Sequence, residues 1–153
     1  METKSLHIGG HIPISSSGDI PSLLPGITND TTFQCFLHSR QAHYTEARVN
    51  KWKLSKIHFA GDTPRMVHAS YVTFPWSVKQ DTRQKSILDI RYTSEAANLL
   101  NIQYLNVHLS KELYLVPEFE KSIADCLVAL APPCTLLFEN VGNLPAPDRK
   151  SVV

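Results

Sequence analysis

The chain has 153 residues, 42% of them hydrophobic and 19% charged, with a formal net charge of +1, enough for one domain with a real core. That near-neutral balance gives no sign of nucleic-acid binding in the total, although a local basic groove can hide inside a neutral sum. No apolar run reaches the roughly 18–20 residues of a membrane span, and the opening METKSLHIGG lacks the long apolar core of a secretory signal, so a soluble intracellular protein is expected.

The elements alternate along the chain. Ser5–Ile12 (SLHIGGHI) reads as a first strand containing glycines, and Ser15–Ile27 as a Ser/Gly loop running into a Pro-broken helix. Thr32–Leu37 (TFQCFL) is a second apolar strand. Thr45–Gly61 has helical composition with Gly61 as its stop. Arg65–Ser70 is a third strand. Lys79–Asn101 is the longest helical stretch, with Ile87, Ile90, Ala97 and Leu100 on one face. Gln103–Leu109 is a fourth strand. Val116–Leu130 is an amphipathic helix with Pro117 near its start, where proline is tolerated. Cys134–Asn140 is a fifth strand.

Five strands interleaved with helices predict right-handed βα units, a parallel sheet and an α/β class. An open doubly wound sheet and part of a (β/α)₈ barrel both fit. No G-x-G-x-x-G follows any strand and there is no P-loop, which argues against the nucleotide-binding version. The three cysteines, Cys35, Cys126 and Cys134, are an odd number in apolar settings and read as buried thiols of a reducing compartment.

In both architectures chemistry gathers at the carboxyl ends of the strands. Those ends supply His11, then His38 with Ser39 and Arg40, then His68, His108, and Glu139 with Asn140; His7, His43 and His58 fall elsewhere. If the last three strands are neighbours, His68, His108 and Glu139 converge on one rim. Two imidazoles and a carboxylate form a catalytic zinc set that leaves room for water. Taken singly, a histidine at a strand end is more often a hydrogen-bonded surface residue, Glu139 can be a helix cap, and Arg40 a solvated loop residue. Tyr71, Phe74 and Trp76 in SYVTFPWS read as half packing and half exposed, and Pro75 favours a loop there.

The order IGGHIPIS, FQCFLHSRQ, VHASYVTFPWS, LNVHLS, LLFENVGN resembles the first part of the endonuclease IV family, zinc-dependent apurinic/apyrimidinic endonucleases with a xylose isomerase-like (β/α)₈ TIM barrel. Ile8-Gly9-Gly10-His11-Ile12 stands where the family has an I-G-A-H-V-S-like strand. Phe36 and Arg40 stand loosely for a DNA-touching F-x-x-x-x-R-like segment. His68-Ala69-Ser70-Tyr71 matches H-x-S-Y directly. His108 matches the fourth motif, although Leu109-Ser110 replaces the usual Pro-Gly. Glu139-Asn140-Val141-Gly142 matches E-N-x-x-G.

The resemblance implies that His68, His108 and Glu139 hold the first of three zinc ions, with Glu139 bridging to the second. It implies that Arg40 and Tyr71 face DNA, with His11 a candidate to sit behind the ligands. The activity implied is metal-assisted hydrolysis of the phosphodiester 5′ to an abasic site in duplex DNA, within base excision repair. The complete enzyme is expected to be a monomer. A sugar isomerase or epimerase of the same barrel superfamily, and a non-catalytic metal-binding remnant, are the alternatives.

Residues 5–143 are accordingly expected to be the first five βα units of a barrel whose closure takes eight, which makes the chain as written an inactive fragment. Asp148–Val153 (DRKSVV) matches the translation of a common sequencing-adapter string, and residues 144–153 are expected to be a non-native or disordered tail.

Overall fold

The computed structural model describes residues 9–12, 27–109, 121, 125–126, 128 and 132–139. Five strands are described: β1 (Gly10–Ile12), β2 (Phe33–Cys35), β3 (Arg65–His68), β4 (Tyr104–His108) and β5 (Thr135–Glu139). Helix α1 (Glu46–Ser55) joins β2 to β3, and α2 (Gln80–Leu99) joins β3 to β4. Lys121, Asp125, Cys126 and Val128 are helical, within the stretch expected as the helix before β5. The loop and Pro-broken helix expected between β1 and β2 lie outside the described residues up to Ile27, as do Asn140 and the tail.

All five strands form one parallel sheet in the order β1-β2-β3-β4-β5. A doubly wound sheet reverses its strand order at a switch point. This sheet does not, so of the two architectures left open the winding is that of a barrel.

Period-two alternation divides the strands between two faces. One face carries Phe33, Cys35, Val67, Leu105 and Val107, which meet Val49 and Trp52 of α1 and Ile90, Ala96 and Ala97 of α2 in a single buried core. Val67, Leu105 and Val107 are wholly enclosed, and each such side chain contributes roughly 1.5–3 kcal/mol by leaving water. The other face carries His11, Gln34, Met66, His68, Tyr104, Asn106, His108, Leu137 and Glu139, as the strand register requires. His11, Gln34, Met66, Tyr104 and Leu137 line a cavity of about 510 Å³ on that face.

Gly9 shows why the entry to β1 needs glycine. A Cβ there would lie 2.4 Å from the carbonyl oxygen of Thr32, so the close approach of β1 to β2 excludes any side chain.

Helix α1 ends sooner than its composition implied. Ser55 donates from Oγ to the Trp52 carbonyl and accepts from the Ile57 N–H, and Lys56 turns left-handed at φ 53°. A serine competing for backbone partners is a helix breaker here. Beyond it the chain leaves helix and buries Phe59, whose N–H donates to the Leu100 carbonyl. Gly61, expected as the helix stop, instead makes a bend at φ 77°. Helix α2 keeps the expected face, with Ile90, Ala97 and Leu100 buried and Ile87 packed against them.

The cysteines are free thiols, Cys35 and Cys126 buried and Cys134 half-buried. Burial pushes Cys35 up to about 12 and the other two to about 11. Cys35 and Cys126 are the buried thiols expected from their apolar settings, and Cys134 is less enclosed than expected. Among the described residues no helix is long and apolar enough to cross a membrane.

Candidate metal centre

β3, β4 and β5 end together, so consecutive strands deliver three side chains to one rim. His108 pairs directly with Glu139 across β4 and β5, while His68 pairs with Asn106. The ladder continues past the strand ends, with the Ala69 N–H donating to Asn106 and the Leu109 N–H donating to Glu139, which stiffens the rim.

The Nε2 atoms of His68 and His108 lie 3.5 and 3.4 Å from Oε2 of Glu139. One donor atom from each of the three residues falls within 4.8 Å of the others, a group that can hold a metal ion. Four-coordinate zinc with ligands at about 2.0–2.1 Å sets neighbouring donors about 3.4 Å apart. The two carboxylate-to-imidazole separations fit that edge, and the N₂O donor chemistry suits zinc.

Local contacts prepare these side chains. His68 places Nδ1 2.7 Å from the Ala69 carbonyl, where Nδ1–H donates and leaves Nε2 free as an acceptor. Asn106 donates from Nδ2 to Oε2 of Glu139 at 2.6 Å and fixes the carboxylate. That bond, with the two histidines, holds Glu139 below the usual carboxylate range, although partial burial works against it. Burial pushes His68 down, helped by His108, while the Ala69 carbonyl and Glu139 oppose the shift. Both shifts favour the deprotonated forms that bind metal.

Around the trio stands an aromatic wall. Tyr71 stacks on His108 at 5.4 Å and 23° and meets His68 edge-on at 5.6 Å. Tyr71 is 39% exposed. Phe36 touches His68, Tyr71 and His11 at 4.7, 5.4 and 5.3 Å. Arg40 is exposed, with its guanidinium 5.8 Å from the Phe36 ring centre.

The structure thus gathers His68, His108 and Glu139, with Tyr71 and Arg40 alongside. His11 is exposed and lies one ring away, touching Phe36 rather than the ligands. Phe36, matched loosely to a DNA-touching segment, is buried among the rings of His11, His68 and Tyr71. His38 is also buried, three residues past the end of β2, and faces Asp89 instead of the rim. His58 bonds the Leu99 carbonyl through Nδ1 at 3.1 Å. In the Tyr71–Ser77 loop Trp76 is buried against Phe138 and Tyr71 is open, as the mixed reading of that segment anticipated.

Sequence reasoning missed Asn106. Its signal was available: in YLNVH it precedes His108 by two, which puts both on one face of β4. It also missed Asp89, for which local sequence gives only a polar residue on the buried face of α2.

No protein-family model and no curated protein matches the sequence. Solved structures do match in fold. Endonuclease IV from Thermus thermophilus aligns with a TM-score of 0.52 and 22% identity over 90% of this chain and 52% of its own. The structure of AsfvAP:AG aligns at 0.51 and 14% identity, over 86% of this chain and 46% of its own. A D-tagatose 3-epimerase-like protein aligns at 0.50 and 14%, over 90% and 54%. The chain therefore spans about half the length of the structures it matches, and its five-stranded parallel α/β sheet has the fold of part of a TIM barrel.

Proposed function

We propose that this chain contributes the first metal-binding wall of a zinc-dependent AP endonuclease that hydrolyses the phosphodiester 5′ to an abasic site in duplex DNA. The observation that carries this reading is the meeting of His68, His108 and Glu139 at adjacent strand ends, beside an exposed Tyr71 and Arg40. Zinc held by these three residues would supply Lewis acidity toward a phosphodiester and activate water near neutral pH. The chain's own residues supply the rest. Asn106 orients the carboxylate, the Ala69 carbonyl sets the His68 tautomer, and Tyr71 offers a flat face where a base is missing. Arg40 supplies a fixed positive charge for phosphate, so binding weakens with salt.

Because the matched structures are about twice as long, the reaction is proposed for a complete barrel of which residues 5–143 would be the first five βα units, with 144–153 outside that unit. The test is incubation of the complete protein with duplex DNA carrying one abasic site, with and without chelator. Chelator-sensitive incision 5′ to the lesion supports the reading. Isomerisation of a ketose without incision supports the second reading, a sugar isomerase or epimerase, which the epimerase-like neighbour favours. Zinc binding with neither activity leaves a non-catalytic remnant.

A further inference from the structure

A second polar cluster lies behind the candidate centre, around Asp89 of α2. Its carboxylate is wholly buried. Oδ1 accepts the Tyr44 backbone N–H, and Oδ2 accepts the Thr73 hydroxyl. His38 and His43 each approach to 3.6 Å. These partners come from two segments far apart in sequence. Tyr44, with His38 and His43, belongs to the loop after β2 that carries Arg40. Thr73 belongs to the loop after β3 that opens with Tyr71.

The two loops are also joined directly. The Arg40 carbonyl accepts both the Tyr71 N–H and the Ser70 hydroxyl, each at 2.9 Å. One turn before Asp89, Ser86 Oγ accepts the Phe74 N–H at 2.8 Å and donates to the Thr82 carbonyl at 2.7 Å. Helix α2 therefore grips the Tyr71 loop at two points and the Arg40 loop at one. A buried carboxylate is costly unless its lone pairs are filled. Here the filling comes from loop groups, so its satisfaction requires both loops to be in place.

We propose that Asp89 is a positioning residue that ties the Arg40 loop and the Tyr71 loop into one wall beside His68, His108 and Glu139. The proposal rests on the reading of that wall as the surface that meets DNA. It gives α2 a role besides packing: a single carboxylate makes the placement of the two exposed residues interdependent.

Amide hydrogen exchange tests this without reference to activity. Thr73→Val keeps the shape and cuts one arm. Exchange in residues 71–77 should rise about 10-fold beyond any change shared with 104–108, while 38–44 moves less. Asp89→Leu cuts both arms and should release 38–44 and 71–77 together; Asp89→Asn, which retains an acceptor, should restore most of the protection. Zinc stoichiometry should stay unchanged in all three. Binding to an abasic duplex should weaken about 10-fold in Thr73→Val, with little further loss when Tyr71→Ala is added, because residues acting through one another are not additive.

Unaltered loop exchange in Thr73→Val, or a rise shared equally by 104–108, would overturn the proposal. So would full additivity with Tyr71→Ala. If the complete protein, without substitutions, binds no abasic DNA, the functional reading fails, and the exchange data still decide whether Asp89 holds the loops. If Asp89→Leu does not fold, Thr73→Val and Asp89→Asn carry the test.

Discussion

Two carboxylates in this molecule each face a pair of histidines, and their surroundings direct them to different work. Glu139 lies 3.5 and 3.4 Å from His68 and His108 with 52% of its side chain exposed. Asp89 lies 3.6 Å from both His38 and His43 and is fully enclosed. At Asp89 a backbone N–H and a hydroxyl occupy the oxygens, so the cluster is closed and its business is cohesion. At Glu139 the Asn106 amide donates to Oε2, both histidines point Nε2 toward the same oxygen, and solvent reaches the group. Among the described residues the Glu139 set is the group with three donors within 4.8 Å of one another. Residue type alone does not make a metal site; convergence and an unfilled lone pair do.

The comparison breaks most visibly if the roles are exchanged. Asp89→Ala strands the Tyr44 N–H and the Thr73 hydroxyl in the interior and should cost about 3–5 kcal/mol. Urea denaturation measures this, and zinc stoichiometry of the folded protein should not change. A stable Asp89→Ala protein would show the closed cluster to be dispensable.

Acid should also reach the closed cluster. Burial holds His38 down to about 4, whereas an unfolded histidine takes a proton near 6.5. Between those values the unfolded chain binds more protons, so stability is lost as pH falls from about 6.5 to about 4. The size is about 3 kcal/mol. His38→Gln should flatten that slope in denaturation midpoints measured across pH. An unchanged slope would mean that His38 accepts its proton in the folded protein.

At the open cluster the expected effects are on affinity. Glu139→Gln should weaken zinc binding about 100-fold while shifting folding stability by no more than about 0.5 kcal/mol. Asn106→Ala, which frees the carboxylate without removing it, should weaken zinc about 10-fold, the lower end for residues that orient ligands. Competition against a zinc-sensitive dye reads both, and equal losses would place Asn106 and Glu139 on the same footing.

Much of the open cluster was legible in the sequence because strand ends are local features. Apolar runs such as RMVH and YLNVH mark strands, period-two alternation assigns faces, and a polar residue at the end of each run falls on the rim. His68, His108 and Glu139 needed only the further assumption that their strands are adjacent, which the strand order satisfies.

The closed cluster was not legible. Asp89 meets Tyr44 across 45 residues and Thr73 across 16, and the local sequence, which gives only a polar residue on the buried face of α2, names neither partner. The end of α1 was hidden for a similar reason. Ser55 bonding back to Trp52, and the burial of Phe59, outweigh a glycine six residues beyond the helix end. His38 shows the limit of strand-end reasoning, since the loop after β2 turns it inward to Asp89.

Zinc titration of the protein and of six single variants tests the central claim most directly. One zinc should bind the unaltered chain, with binding lost or weakened at least about 100-fold in His68→Ala, His108→Ala and Glu139→Gln. His11→Ala, His38→Gln and His43→Gln should retain it. Unchanged zinc binding in His68→Ala, His108→Ala and Glu139→Gln would contradict the account.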